Sequence, residues 1–190
     1  MNIKSKKGMT LVEVIATVAI MAVIMIPISL IFSTAYSNFI TESDKSMAQK
    51  SARAVLYGKG LYGDGLISYG VIGDLQRSNV SGDKILLGNL VTNKYHSISI
   101  SDNNGLLYKY SLKGNKVEYI YWDSSGNLVK EDYLNEKSVY KKDVKVLDFV
   151  VEEIGKGTNI DNDLIKVYIK VECGKSGPIE LESSYRIPIE

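Results

Sequence analysis

Few side chains in this sequence have the chemistry for acid–base or nucleophilic catalysis. The chain has one histidine, His96, and one cysteine, Cys173. Catalysis of either kind requires such groups to converge on a reacting atom. His96 shares a strand face with Ile98 and Ile100, which is typical of a histidine at the edge of a core. Cys173 shares its face with β-branched residues, which is typical of a buried, unreactive thiol. We therefore predict that the chain is not an enzyme and uses no cofactor.

An oxygen-rich stretch is the one candidate for a metal site. It comprises Asn159, Asp161, Asn162 and Asp163, and Ca²⁺ prefers carboxylate and carbonyl oxygens. The spacing matches no EF-hand, and Asx-rich turns are common without a metal. The single cysteine excludes an internal disulfide and a Cys-cluster site. We predict no metal, with Asp161 and Asp163 as the residues that would bind one.

Two features argue against nucleotide and nucleic-acid binding. Gly58, Gly60 and Gly63 match G-x-G-x-x-G, but that fingerprint needs a preceding strand and a following helix. Here it follows a long helical stretch, so a flexible Gly-rich connection over residues 58–83 is the better interpretation. The 23 basic and 22 acidic residues give a net charge of +1. Nucleic-acid binding is therefore disfavoured, since it requires a basic patch.

A carboxylate stands near the start of the most apolar stretch of the chain. Residues 9–32 read MTLVEVIATVAIMAVIMIPISLIF, with Glu13 as their charged residue. As a helix this run is about 36 Å long, enough to cross a hydrocarbon core of about 30 Å. A charge there is costly unless it is paired. Lys4, Lys6 and Lys7 predict a single-pass orientation with the N-terminus in the cytoplasm and the chain after about Phe32 outside.

Two ordinary interpretations of this segment remain open. One is a plain signal anchor, with Glu13 near the headgroups. The other is a secretory signal peptide cut after Ala35, since Ser33 and Ala35 are small. Against the second, the apolar run exceeds the usual h-region of about 7–15 residues, and an acid at its start is atypical.

The same residues resemble the type IV prepilin signature. A short basic leader ends in Gly8, and Met9-Thr10-Leu11-Val12-Glu13 opens a long apolar helix. The resemblance implies cleavage between Gly8 and Met9 by a prepilin peptidase, which also methylates the new amine of Met9. It further implies sister pilins or pseudopilins and a membrane assembly platform as partners. The protein would begin in the cytoplasmic membrane and then enter a cell-surface filament.

The resemblance also gives the carboxylate a purpose. It implies that Glu13 pairs with the N-terminal amine of a neighbouring subunit, and a misregistered neighbour would leave both charges unpaired. Pro27 is expected to kink or loosen the helix. The chain departs from the major pilins in two ways, Met9 where phenylalanine is common and an early Pro27. Both departures favour a minor pilin or pseudopilin.

The remaining chain predicts an α+β fold, with a long N-terminal membrane-spanning helix packed on a C-terminal antiparallel β-sheet. We expect a leader over residues 1–8, a transmembrane and assembly helix over 9–57, the connection over 58–83 and a β-domain over 84–190. Ser33–Tyr57 lacks proline and glycine and places Phe39, Ile40, Met47, Ala48, Val55 and Leu56 at loosely helical spacing. From residue 84 the pattern alternates, with turn signals at residues 103–105, 113–116 and 123–127.

The function predicted from these features is a minor pilin-like or pseudopilin-like subunit of a type IV pilus or type II secretion-like filament. The alternative is a membrane-anchored adhesin whose β-domain binds a ligand through a tyrosine-rich face. The aromatic residues that would form this face are Tyr108, Tyr110, Tyr119, Tyr121, Trp122 and Tyr133. An exposed aromatic face suits partner binding, whereas buried tyrosines would only fill the core.

Overall fold

The computed structural model describes residues 9–58, 60–61, 67–68, 70–78, 84–92, 94–133, 142–155 and 164–187. The chain divides into two compact units, Met1–Ile40 and Thr41–Glu190. Helix α1 runs from Leu11 to Tyr57 and contributes residues to both units.

Within the first unit, α1 is apolar on all sides. Its large side chains from Leu11 to Phe32 are exposed, which suits a hydrocarbon environment. Pro27 lies inside the helix without ending it. Proline lacks the amide that would bond back along the helix, and nearby the Ser29 hydroxyl donates a 2.8 Å hydrogen bond to the Met25 carbonyl. Among the described helices, α1 alone has the length and composition to cross a bilayer.

In the second unit, α1 packs one face into the core of the β-domain. The fully buried positions Asp44, Ala48, Ser51 and Val55 recur every three or four residues, which is the helical period. Small side chains at the middle positions allow the helix axis to approach the sheet closely. Of the apolar residues noted at helical spacing in the sequence, Ala48, Val55 and Leu56 are buried, whereas Phe39, of the first unit, is 62% exposed. Helical spacing in the sequence does not by itself show at which residue the buried face of α1 begins.

The described strands all pair antiparallel. A two-stranded ribbon pairs β1 (Gly60–Leu61) with β2 (Ile67–Ser68). The other described strands form one sheet in the order β10-β9-β8-β4-β5-β6-β7, with β3 also paired to β4. Their bounds are β3 Ile85–Val91, β4 Lys94–Ser101, β5 Leu107–Lys113, β6 Lys116–Trp122, β7 Leu128–Tyr133, β8 Val144–Ile154, β9 Leu164–Cys173 and β10 Ile179–Arg186.

The pairing between β4 and β8 is short. Tyr95 and Val151 form the one described residue pair that joins these strands. Beside it, His96 Nδ1 lies 2.8 Å from the carbonyl oxygen of Phe149. The meander β3–β7 and the three strands β8–β10 are therefore joined through a short pairing. The contact of the His96 ring with the Phe149 carbonyl adds a side-chain link between the same two strands.

The predicted turns are confirmed by their backbone geometry. Gly105, Gly114 and Gly126 have positive φ angles of 80°, 61° and 81°, which glycine adopts without steric cost. Asp102 and Asp123 each accept backbone N–H bonds from residues two and four positions further along. These Asx turns reverse the chain between β4 and β5 and between β6 and β7.

The inward side chains of the sheet form the core with both helices. On β9, Ile165, Val167, Ile169, Val171 and Cys173 are all buried, as the alternation predicts. Residues 58–83, expected to be a Gly-rich connection, include helix α2 (Gly70–Ser78). Val71, Ile72 and Leu75 of α2 are almost wholly buried. The sequence from Leu66 to Ser78 also predicts a short helical turn before the sheet, and α2 lies within that stretch. The α+β architecture itself is confirmed.

Candidate functional site at the start of α1

Thr10 and Glu13 form a closed set of hydrogen bonds at the first turn of α1. The Thr10 backbone N–H donates to Glu13 Oε2 at 2.8 Å, and the Thr10 hydroxyl donates to the same oxygen at 3.0 Å. The Glu13 N–H in turn donates to Thr10 Oγ1 at 3.4 Å. Because Val14 N–H bonds to the Thr10 carbonyl at 3.2 Å, Thr10 is the N-cap. This arrangement is a capping box.

The capping box gives the Glu13 carboxylate a partner within its own chain. Two donors and the positive end of the helix dipole face Oε2, so the charge is compensated before any second subunit arrives. In the described part of the chain, no hydrogen bond reaches Oε1. Glu13 is exposed, and Met9 is 72% exposed just outside the helix. The carboxylate can therefore accept a second, external donor without breaking its cap.

Thr10 is the residue of this site that the sequence reasoning missed. The spacing Thr-x-x-Glu before an apolar run is a sequence signal for a capping box. The charge of Glu13 in an apolar segment is the more conspicuous signal, and by itself it does not indicate a contact with Thr10. Gly8, the residue before the expected cleavage point, lies outside the described residues, as do Asp161 and Asp163.

Other polar side chains of the apolar segment are satisfied within the helix. The Thr17 hydroxyl lies 2.9 Å from the Glu13 carbonyl and 2.8 Å from the Val14 carbonyl. Such bonds to the preceding turn remove the cost of placing a hydroxyl in lipid. Glu13 is the one charged side chain between Met9 and Phe32. Its Oε1 is available to accept a hydrogen bond from a partner.

The residues that could have carried catalysis do not form a reactive site. His96 is half-buried and makes its contacts with the Phe149 carbonyl and with Asp148, whose Oδ1 lies 3.5 Å from Nδ1. Cys173 is fully buried, with Sγ 3.9 Å from Asp44 Oδ1. Each side chain contacts different elements and has a structural role. Among the described residues, no cluster of metal-ligating side chains occurs.

The tyrosine-rich surface expected for a binding domain is largely internal. Tyr108, Tyr110 and Tyr119 are between 0% and 4% exposed. They project from the inner face of β5 and β6 into the core, beside α2. Tyr121 and Trp122 are half-buried. Three of the six aromatic residues named for this face are therefore core residues, as expected if they fill a small sheet, and the side chain of Tyr133 lies outside the described residues.

The outer face of strands β8–β10 carries a shallow groove of about 350 Å³. Tyr168 and Val150 are among the residues that line it. Its charges pair across strands, with Lys166 3.0 Å from Glu182 and Lys170 2.7 Å from Glu180. Mutually paired charges on an open sheet face are typical of a solvated surface.

A buried carboxylate paired with a partly exposed lysine fixes α1 to the ends of β8 and β9. Asp44 is 0% exposed, and its Oδ2 accepts hydrogen bonds from Lys142 Nζ at 2.8 Å and from the Lys175 backbone N–H at 3.0 Å. Sequence patterns gave no sign of this contact, because an acid between Ser43 and Lys45 looks like an exposed helix residue. The partners come from more than ninety residues further along the chain.

Replacing Asp44 by alanine is expected to lower the free energy of unfolding by about 3 kcal/mol, because it leaves a buried donor and a lysine without their shared acceptor. Urea unfolding of the full chain in detergent, followed by Trp122 fluorescence, measures this loss. Glu42→Ala is the matched control on the same helix, since Glu42 forms an exposed pair with Lys45 and should change little. Equal effects of the two substitutions would contradict the assigned anchor.

Comparison with known proteins places the N-terminal segment in context. Residues 3–29 match the family described as "Prokaryotic N-terminal methylation motif". No curated protein and no solved structure matches the chain. The matched segment includes the capping box and supports a type IV prepilin-like protein that is processed by prepilin peptidase. Proteins with this motif are structural subunits rather than enzymes.

Proposed function

We propose that this chain is a minor pilin-like or pseudopilin-like subunit, cut between Gly8 and Met9, N-methylated at Met9 and assembled into a filament through α1. The observation that carries the proposal is the methylation motif over residues 3–29, at the start of a helix whose apolar side chains are exposed. An apolar surface of that length must be covered by lipid or by other helices.

The proposed organisation follows from the same features. Residues 1–8 are the leader, 9–57 the assembly helix, 58–83 the connection that includes α2, and 84–190 the β-domain. The basic residues Lys4, Lys6 and Lys7 keep the N-terminus in the cytoplasm and the β-domain outside. Its partners are the prepilin peptidase, sister subunits and the membrane assembly platform. Pro27 lies within the apolar half, where a missing backbone bond eases local bending during packing.

Glu13 has two tasks in this proposal. Its Oε2 caps the helix of its own chain, as the bonds from Thr10 support. Its Oε1 accepts the methylated amine of Met9 from a neighbouring subunit. A subunit docked in another register would place its amine in lipid without a partner and would leave Glu13 with its own cap alone, which is unfavourable. Correct axial registry of the helices follows from this requirement.

The first test is the mass of the N-terminus in protein extracted from membranes with and without a prepilin peptidase. We expect a chain that begins at N-methylated Met9 when the peptidase is present and at Met1 when it is absent. Gly8→Val is the matched control and should remain uncut, because the motif requires a glycine before the cleaved bond. A chain that begins at Tyr36 would indicate a secreted domain, and an uncut chain in both samples a plain anchor.

A further inference from the structure

Helix α2 carries a buried carboxylate that the proposed function does not use. Asp74 is 1% exposed. From β5, the Tyr110 hydroxyl donates a 2.5 Å hydrogen bond to Asp74 Oδ2. One turn further along α2, Arg77 Nη2 lies 3.4 Å from Asp74 Oδ1. A buried acid therefore sits at the contact between a short helix and the sheet.

Arg77 extends this contact to the next tyrosine of the same strand. Its Nη2 donates a 2.5 Å hydrogen bond to the Tyr108 hydroxyl, and its guanidinium lies 5.1 Å above the Tyr108 ring. Tyr108 in turn stacks on Tyr121 of β6, with centroids 5.1 Å apart and rings within 7° of parallel. The Asp74–Arg77 pair thus links α2 to β5 through the hydroxyls of Tyr110 and Tyr108, and the stacking of Tyr108 on Tyr121 extends the contact to β6.

The surroundings of Asp74 offer little compensation for a negative charge. Tyr110 and Tyr108 of β5 and Tyr119 of β6 lie close enough to interact electrostatically with Asp74, and the apolar core adjoins them. Two further ionisable groups lie near this contact. Tyr185 of β10 packs against the same core, and the charge of Asp102 acts on Tyr108. Arg77 is the cation that acts on Asp74, and its side chain is 43% exposed, so solvent screens part of its attraction.

We propose that Asp74 is a pH-sensitive latch that holds α2 on the β-domain, firm when the carboxyl is protonated and loosened when it is ionised. The neutral carboxyl still offers an acceptor oxygen to the donors Tyr110 and Arg77 and places no charge among buried rings, whereas the ionised form has the partly exposed Arg77, 3.4 Å away, as its cation. Ionisation adds a desolvated charge, and that cost is removed when α2 moves away and Asp74 becomes hydrated.

The direction of the pH effect follows from the proton affinity of the docked state. Burial raises the pKa of Asp74 from 3.8 to about 6, against the opposing effects of the Tyr110 hydrogen bond and Arg77. The docked state therefore binds its proton more tightly than the undocked state. Docking is strongest below the ordinary aspartate pKa, weakens as the pH rises from about 4 to about 6, and is constant above. Two pKa units correspond to about a 100-fold change in the opening equilibrium.

Hydrogen exchange of the α2 amides in the full chain, held in detergent micelles, tests the latch. After correction for intrinsic exchange rates, wild-type protection of α2 should fall by about 10- to 100-fold between about pH 4.5 and about pH 7.5. Asp74→Asn keeps the shape and a hydrogen-bond acceptor but cannot ionise. Its α2 amides should show the same protection at both pH values, close to the wild type at low pH.

The control is Glu152→Gln on β8, which removes an exposed carboxylate and should keep the wild-type pH dependence. The β9 amides provide an internal reference, because loosening confined to α2 leaves them unchanged. A wild-type protection that is flat across this pH range would overturn the latch. So would an Asp74→Asn variant that retains the wild-type slope, since another group would then be responsible.

Discussion

Replacing Gly70 by alanine is expected to lower the free energy of unfolding by about 4 kcal/mol, the largest effect we predict for one added methyl group. Gly70 has a φ of +69° and begins α2 directly against the end of α1. A Cβ at this position would lie 2.6 Å from both Leu56 C and Tyr57 N, and closer still to Gly58 N. These are backbone atoms, so they cannot rotate away as a side chain would.

Gly177 supplies the matched control for this experiment. Its φ is +68°, almost equal to that of Gly70, but a Cβ there would meet no atom within 4 Å. Gly177→Ala therefore measures the backbone strain alone, about 1 kcal/mol. The difference between the two variants is the steric cost of separating α1 from α2. Urea unfolding followed by Trp122 fluorescence provides both values, and equal losses would contradict the close approach.

The second large effect concerns assembly. Glu13→Ala should be cut and leave Met9 as the first residue, yet its incorporation into filaments should fall by about 30-fold or more, as for other desolvated charge pairs that lose one partner. The reason is that the amine of a neighbouring subunit then enters the membrane without an acceptor. The measurement compares tagged subunit in sheared filaments with subunit in the membrane fraction.

Two further variants separate the charge of Glu13 from its capping contacts. Glu13→Gln preserves a capping box, because glutamine at this position also accepts the N-cap amide, but it removes the charge. Thr10→Val removes the capping hydroxyl and keeps the charge. Normal incorporation of Glu13→Gln would refute the charge-pairing role, and a larger defect in Thr10→Val than in Glu13→Gln would assign the role to the cap.

Local sequence chemistry was sufficient for much of the fold. The turn glycines Gly105, Gly114 and Gly126 and the alternation of β9 encode the hairpins directly, because period two and positive φ are properties of adjacent residues. The apolar helix could be recognised for the same reason. Tyrosine is ambiguous in this respect, since its ring suits a core and its hydroxyl suits a surface, and burial of Tyr108 and Tyr110 depended on where α2 packs.

The contacts that sequence could not reveal are those between distant polar residues. Asp44 with Lys142, and Asp74 with Tyr110, are separated by 98 and 36 positions. Each acid lies on a helix at a position where an exposed charge would be equally compatible with the local pattern. Only the tertiary arrangement decides that these carboxylates are enclosed. At the N-terminus the opposite holds, because Thr10 and Glu13 are three residues apart and their contact was encoded locally.

The pairing scheme of the sheet has a consequence for how the chain acquires its structure. Of the seven described strand pairings in the large sheet, β4–β8 alone joins strands that are not consecutive in sequence. The loops that connect the other paired strands are short, so closing them costs little conformational entropy. Such local pairing favours rapid folding. The meander β3–β7 can therefore form hairpin by hairpin from neighbouring segments of the chain. The Tyr95–Val151 pairing needs β8 as well, so we expect it to form after these hairpins.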